Sequence, residues 1–314
     1  MSVAVRSFAK VNLGLRIGLR RPDGFHELRT VYQTLALHDV VRVDAKPGMG
    51  IEVRCKEARV PDDDSNTCWR MADRLLKALK LRKRVSIYIE KNLPVEGGVG
   101  GASSNAIATM LGLERVLRTR IPDEEKLRLA AEIGSDVPLF LVGGTILGLG
   151  RGEDVYPLPD LPALDCVLVA PGVGVSTPRA FADWDKLTAA DHHDTMNGFS
   201  RSVWSWLCGS ASGVPAKSGD RAEALLLDLV RAGIENDFER VVFPQHSDLR
   251  EVKRALERAG AKFASLSGSG SSLFGLFPSR AAAATAAKKL SADGLNAVAT
   301  RTLPRADYWK QIFG

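Results

Sequence analysis

No run of eighteen apolar residues occurs in the 314-residue chain, which excludes a membrane-spanning helix and makes a membrane role unexpected. No charged, apolar leader precedes a small-residue cleavage site, so the expectation is a cytoplasmic protein. Cysteine is scarce: Cys55, Cys68, Cys166 and Cys208 lie far apart without Cys-x-x-Cys spacing, and they read as small buried hydrophobes in a reducing compartment. His192-His193 stands beside Asp194 and reads as a polar loop rather than a metal site. Aromatic residues make up only 6% of the chain and are not interleaved with basic ones, so the net charge of +6 suits anionic small molecules better than nucleic acid. Arg82-Lys83-Arg84, the densest basic run, reads as a solvated helix end.

Ordinary proportions of hydrophobic (45%) and charged (25%) residues indicate a globular chain, and its length indicates two domains. Val3 and Val5, then Val11, Leu13, Leu15 and Ile17, alternate with polar or small residues as a strand does, up to a turn at residues 20–24. Further strands are expected over residues 30–37, 40–43 and 51–53, with direction changes at Leu37-His38-Asp39 and Lys46-Pro47-Gly48. A helix should start near Asn66, a strand should cover residues 85–89, and another helix should run from Pro122 to a stop at Gly134. The proline-punctuated stretch 158–162 is read as a linker between residues 1–160 and residues 161–314. The second part alternates strands (167–170, 263–266, 273–277, 298–303) with helices (249–259, 280–290), an α+β pattern; Trp204 and Trp206 are placed on a helix.

The most informative segment is Pro94-Val95-Glu96-Gly97-Gly98-Val99-Gly100-Gly101-Ala102-Ser103-Ser104-Asn105, which leads into a helical apolar pattern. Glycines let backbone N–H groups approach a ligand, and the following helix adds unpaired donors and the positive end of its dipole. That combination cradles phosphate. No lysine follows the glycines as in a P-loop, and counting from Gly98 the third glycine of a dinucleotide fingerprint is Ser103. Such a cradle needs positive charge from a metal ion or from a distant basic residue.

Three more segments carry candidate chemistry. Lys10 and Asn12 share the face of their strand opposite Val11 and Leu13, a face that is either solvated or a site. Asp136 follows a glycine break and precedes a buried segment, where it serves either as a helix-cap residue or as a base beside a lysine. Ser267-Gly268-Ser269-Gly270 is a second glycine loop between two strands, a hairpin tip or a second wall of the same site.

Together these segments resemble the three ordered motifs of the GHMP kinases, the superfamily of galactokinase, homoserine kinase, mevalonate kinase and phosphomevalonate kinase. The segment Arg21-Pro22-Asp23-Gly24-Phe25-His26-Glu27-Leu28 is similar to the Asp-Gly-Tyr-His-Glu-Leu signature of the branch whose substrate bears a cytidine diphosphate group. Pro171-Gly172-Val173, Ser176-Thr177-Pro178, Phe181 and residues 235–239 follow the same order, so the resemblance spans nearly the whole chain. It implies an α+β, two-domain GHMP kinase fold, with an N-terminal half like ribosomal protein S5 domain 2 and a ferredoxin-like C-terminal half. It also implies ATP and Mg2+ as cofactors, a small-molecule substrate, and no obligate protein partner.

By the same resemblance Asp136 takes the hydroxyl proton and Lys10 sits beside it, while residues 94–104 (Pro94, Val95, Glu96, Gly97, Gly98, Val99, Gly100, Gly101, Ala102, Ser103 and Ser104) wrap the ATP phosphates. Ser104 is the candidate metal contact. Phe25 and Phe181 should sandwich a cytosine, with His26 at the base edge, Asn12 near the reacting hydroxyl, and Gly268 and Gly270 closing the site. Three positions depart from the pattern: Phe25 replaces tyrosine, Glu96 stands at a frequent glycine, and Ala102 replaces another, which is mild if its dihedrals are helical. The competing readings are a homoserine or mevalonate kinase, a nucleotide sensor without turnover, and an RNA-binding module.

Overall fold

A computed structural model describes residues 2–95, 97–187, 196–203 and 234–313. Glu96, His192-His193-Asp194, Trp204, Trp206 and Cys208 lie outside the described residues. The alternating start of the chain forms β1 (Val3–Arg20), antiparallel to the long β2 (His26–Pro47). After Lys46-Pro47-Gly48 the chain does turn, into β3 (Gly50–Cys55), which runs parallel to β4 (Lys83–Glu90). With β5 (Thr145–Leu149) and β6 (Asp154–Pro157) these strands make a six-stranded sheet, ordered β3-β4-β2-β5-β6 with β1 on β2.

Two expectations fail here. Leu37-His38-Asp39 does not reverse the chain; β2 runs straight through it. The register instead jumps from Phe8↔His38 to Lys10↔Thr34, so the polar residues mark a bulge. Asp39 sits there fully buried because its carboxylate accepts from Lys91 Nζ (2.6 Å) and from the backbone N–H groups of Asn92 and Leu93 (2.7 Å each). Nor is the basic run a helix end: Lys83 and Arg84 open β4.

Helices back the sheet on one face. In α1 (Thr67–Ala78) Asn66 caps the first turn, its side chain accepting from the Cys68 amide at 2.8 Å. Next, α2 (Gly101–Leu117) follows the glycine loop and packs Ala106, Ile107, Met110 and Leu113 into the core; Ala102 lies within it and is helical, so its substitution is mild. Gly134 ends α3 (Asp123–Ile133), and a turn of 3-10 helix over Pro138–Leu141 then buries Leu139 and Phe140.

The second sheet is antiparallel, ordered β10-β7-β9-β8, from β7 (Asp165–Val169), β8 (Phe263–Leu266), β9 (Leu273–Phe277) and β10 (Ala297–Arg301). Helices α4 (Thr177–Leu187), α5 (Glu239–Gln245) and α6 (Ser247–Arg258) precede β8, and α7 (Arg280–Ala292) joins β9 to β10. That β-α-β-β-α-β order is the expected ferredoxin-like arrangement. The two halves exchange elements. Leu15 and Ile17 of β1 join the apolar cluster of the second half, whereas α8 (Arg305–Gln311) sends Tyr308 into the cluster of the first. Between the sheets Ala9, Val11 and Leu13 meet Leu168, Phe274 and Leu276.

Candidate active site

The alternation of β1 places Lys10 and Asn12 on one face, and that face is not solvated: the two residues are 2% and 1% exposed. A buried ammonium is costly without partners, and Lys10 has two, Asp136 Oδ2 at 3.0 Å and Asn12 Oδ1 at 2.7 Å. Asn12 in turn donates to Thr30 Oγ1 at 2.8 Å, and Thr30 donates to the Gly14 carbonyl at 2.8 Å. The amide orientation of Asn12 is therefore fixed by a chain of bonds running across β1 and β2. Asp136 comes from the loop after α3, 126 residues along the chain, and its side chain remains 34% exposed toward a cavity.

The glycine loop closes over this pair. The Lys10 amide donates to the Val99 carbonyl at 2.9 Å, which seats the loop directly on β1. Gly98 and Gly100 both take φ +72°, a region that disfavours side chains. A Cβ on Gly98 would lie 2.4 Å from the Ser267 carbonyl, and one on Gly100 would lie 2.9 Å from Lys10 Cγ, so neither position has room for more than hydrogen. The second glycine loop is the other wall. Ser267 Oγ donates to the Gly98 carbonyl (3.0 Å) and the Ser272 amide to the Gly97 carbonyl (3.0 Å). Asn236 holds that wall by donating to the carbonyls of Leu266 (2.9 Å) and Gly268 (2.8 Å).

Two cavities meet at Gly98, Ser103 and Asp136. One, of about 430 Å³, is lined by Pro94, Val95, every residue from Gly97 to Ser103, and Lys91 with Asn66 on the far side. The other, of about 380 Å³, is lined by Lys10, Asn12, Phe25, His26, Phe181 and Gly268 among others. Two residues named from the sequence line neither cavity: Ser104, which is buried in the first turn of α2, and Gly270, which turns the second glycine loop. Ser103 is the hydroxyl that lines both.

The aromatic residues are arranged differently from a sandwich between Phe25 and Phe181. Phe181 lies flat on His26, with centroids 4.9 Å apart and planes 6° apart, and Phe238 meets its edge at 5.0 Å. Phe25 is half exposed, and the Arg151 guanidinium sits 4.9 Å from its ring centroid. His26 Nε2 bonds Asp185 Oδ1 at 2.6 Å, which orients the imidazole.

Comparison with known proteins places this geometry. Residues 66–144 match the GHMP kinases N terminal domain, and residues 219–296 match the GHMP kinases C terminal domain. A 4-diphosphocytidyl-2-C-methyl-D-erythritol kinase from Solibacter usitatus is 37% identical over 92% of this chain and 85% of its own. The chain belongs to the 4-diphosphocytidyl-2-C-methyl-D-erythritol kinase family of GHMP kinases. A solved 4-(cytidine 5'-diphospho)-2C-methyl-D-erythritol kinase superposes with TM-score 0.71 at 30% identity, covering 95% of this chain and 98% of that one. A homoserine kinase from Cytophaga hutchinsonii also superposes at 0.71, but at 20% identity over 96% and 95%, which shows the shared fold alone. Membership in the family makes this chain an ATP-dependent phosphotransferase of α+β, GHMP kinase architecture.

Sequence reasoning missed several residues that the fold brings to the family's site. Tyr32, buried on β2, donates to Asp136 Oδ1 at 3.0 Å. Burial, together with the Asp136 charge, pushes its ionisation far above that of an ordinary tyrosine, so the hydroxyl stays a donor. Thr177 and Ser269 share a 2.6 Å hydroxyl pair on the cavity wall, and Arg151 supplies a cation there. Tyr32 was legible only as a strand position, because nothing in its neighbours on the chain announces a carboxylate.

Proposed function

We propose that this chain uses ATP to phosphorylate the 2-hydroxyl of 4-diphosphocytidyl-2-C-methyl-D-erythritol, a step of the non-mevalonate route to isoprenoid precursors. The carrying observation is the 3.0 Å contact of Lys10 with Asp136 at the junction of two cavities. In this reading the glycine-lined cavity takes the nucleotide and the cavity of Phe25, His26 and Phe181 takes the cytidyl substrate. Asp136 accepts the proton of the attacking hydroxyl as its oxygen bonds to the γ-phosphorus and the bond to the β-phosphate bridging oxygen breaks. Lys10 stabilises the charge that develops on the transferring group, and Asn12 holds the Lys10 ammonium and orients the acceptor. Phosphoryl transfer needs positioning and electrostatics more than covalent chemistry, so one acid and one amine beside the triphosphate suffice.

Among the described residues no cluster of three acidic, histidine or cysteine side chains could cage a metal. The Ser103 hydroxyl, which lines both cavities, fits a Mg2+ ion that arrives with ATP and keeps most of its waters. That ion would neutralise charge on the phosphates. The unpaired cysteines Cys55, Cys68 and Cys166 support placing the protein in the reducing cytoplasm.

The test is ADP release by the purified protein with the cytidyl substrate, homoserine or mevalonate offered separately. Turnover with the cytidyl substrate alone is the expected result. Turnover with only homoserine or mevalonate would overturn the substrate assignment.

A further inference from the structure

The carboxylate expected to act as base lies in a loop and is one-third exposed, yet both of its oxygens are engaged. Lys10 Nζ meets Oδ2 at 3.0 Å, and the Tyr32 hydroxyl meets Oδ1 at 3.0 Å. These two contacts come from neighbouring strands: Tyr32 pairs in register with Asn12, two residues from Lys10. We infer that Tyr32 is a positioning residue for Asp136, its hydroxyl fixing the carboxylate so that one oxygen faces Lys10 while the remaining lone pairs face the substrate cavity.

The surroundings of Tyr32 are built for a hydroxyl at that point. Tyr32 is 2% exposed, so its ring cannot swing away without opening the core. Gly152 takes φ +103°, and a Cβ there would lie 2.3 Å from the Tyr32 oxygen. The chain thus places a glycine where any side chain would displace the hydroxyl. A carboxylate only accepts, so the phenol must donate, and burial keeps it protonated across the working pH range. The ring also lies 5.5 Å below the Lys10 ammonium, so the same side chain touches both members of the pair. An exposed aspartate in a loop samples several χ1 wells, and two fixed donors remove that freedom before substrate arrives.

This inference rests on the reading of Asp136 as the proton acceptor, and the experiment separates the two. Tyr32→Phe, Asp136→Asn and the double variant are assayed for kcat and for KM of both substrates, with a Tyr32→3-fluorotyrosine protein as the conservative replacement. Tyr32→Phe should lower kcat about tenfold and leave both KM values within about twofold, because the hydroxyl is committed to the acid and the ring that lines the cavity is kept. The fluorotyrosine protein, which keeps the hydroxyl, should retain wild-type kcat. In the Asp136→Asn background Tyr32→Phe should cost nothing further, since its effect passes through the carboxylate. Unchanged kcat in Tyr32→Phe, a loss expressed in KM, or additive losses in the double variant would each overturn the positioning role. Wild-type turnover by Asp136→Asn would overturn the base assignment itself. If Asp136→Asn turns over too slowly to measure, the kcat–KM split of Tyr32→Phe decides the positioning role alone.

Discussion

Replacing Lys10 by methionine keeps the stem that packs under Gly100 and removes only the charge, which makes it the sharpest probe of the site. Lys10 Nζ reaches Asp136 Oδ2 at 3.0 Å, and a full unit of charge developing on the transferring group about as close to it would be attracted by about 5–6 kcal/mol at an effective dielectric of about 20. Asp136 is one-third open to water, and in a loose transition state only part of a charge builds up next to the ammonium. Halving the figure leaves about 2.5–3 kcal/mol, which is about a hundredfold in kcat. The fold should tolerate the change: Asn12 Oδ1 loses its donor, at a cost of about 1–3 kcal/mol, a fall of a few degrees in melting temperature. The assay is steady-state ADP release with the cytidyl substrate, alongside ATP binding by calorimetry. A kcat within about threefold of wild type, or a loss found entirely in the KM for ATP, would refute the assignment of Lys10 to the reacting centre.

His26→Ala removes the ring stacked on Phe181 and frees Asp185, so the KM for the cytidyl substrate should rise at least about tenfold while ATP affinity, measured by calorimetry, stays unchanged. Alkaline pH should destabilise the fold in a defined window. Burial pushes the Cys68 thiol up to about 12 and raises Cys166, Tyr32 and Tyr308 as well, so the unfolded chain releases these protons first. Groups raised in the folded state contribute fully below their unfolded values and lose that contribution as pH climbs. Stability should therefore fall from about pH 8.5 upward, by about 1.4 kcal/mol per pH unit for each group titrating. A denaturation midpoint that stays flat between pH 8.5 and 11 would refute the burial of these four groups.

Most of the scaffold around the site was readable because its signals are local. The alternation in β1, the Asn66 cap, the Gly134 stop and the helix after the glycine loop each depend on a few adjacent residues. Leu37-His38-Asp39 misled because a buried aspartate satisfied by residues 91–93 looks, in sequence, like a polar turn. Lys83-Arg84 misled because the solvated end of a strand and a solvated helix end have the same composition. Strands β5 and β6, punctuated by Gly148, Gly150 and Gly152, lacked the apolar alternation that reveals a strand. The site itself was legible mainly by resemblance. Lys10 and Asp136 are brought together by packing between distant segments, and the placement of Phe181 on His26 rather than opposite Phe25 depends on α4 and α5, whose register no short-range pattern sets.

The crossing of elements between the halves has a consequence for how the molecule is made. Tyr308 bonds the Phe140 carbonyl at 2.7 Å, and Phe140 is the ring against which Gly100 packs. Arg305 meanwhile ties down the carbonyls of Gly143, Thr145 and Leu158. On the ribosome, the segment that shapes the nucleotide cradle therefore waits, with one flank bare, until residues 305–313 have been synthesised. During that interval the Phe140 carbonyl lacks the Tyr308 hydroxyl that caps it, and the apolar cluster around it lacks the Tyr308 ring.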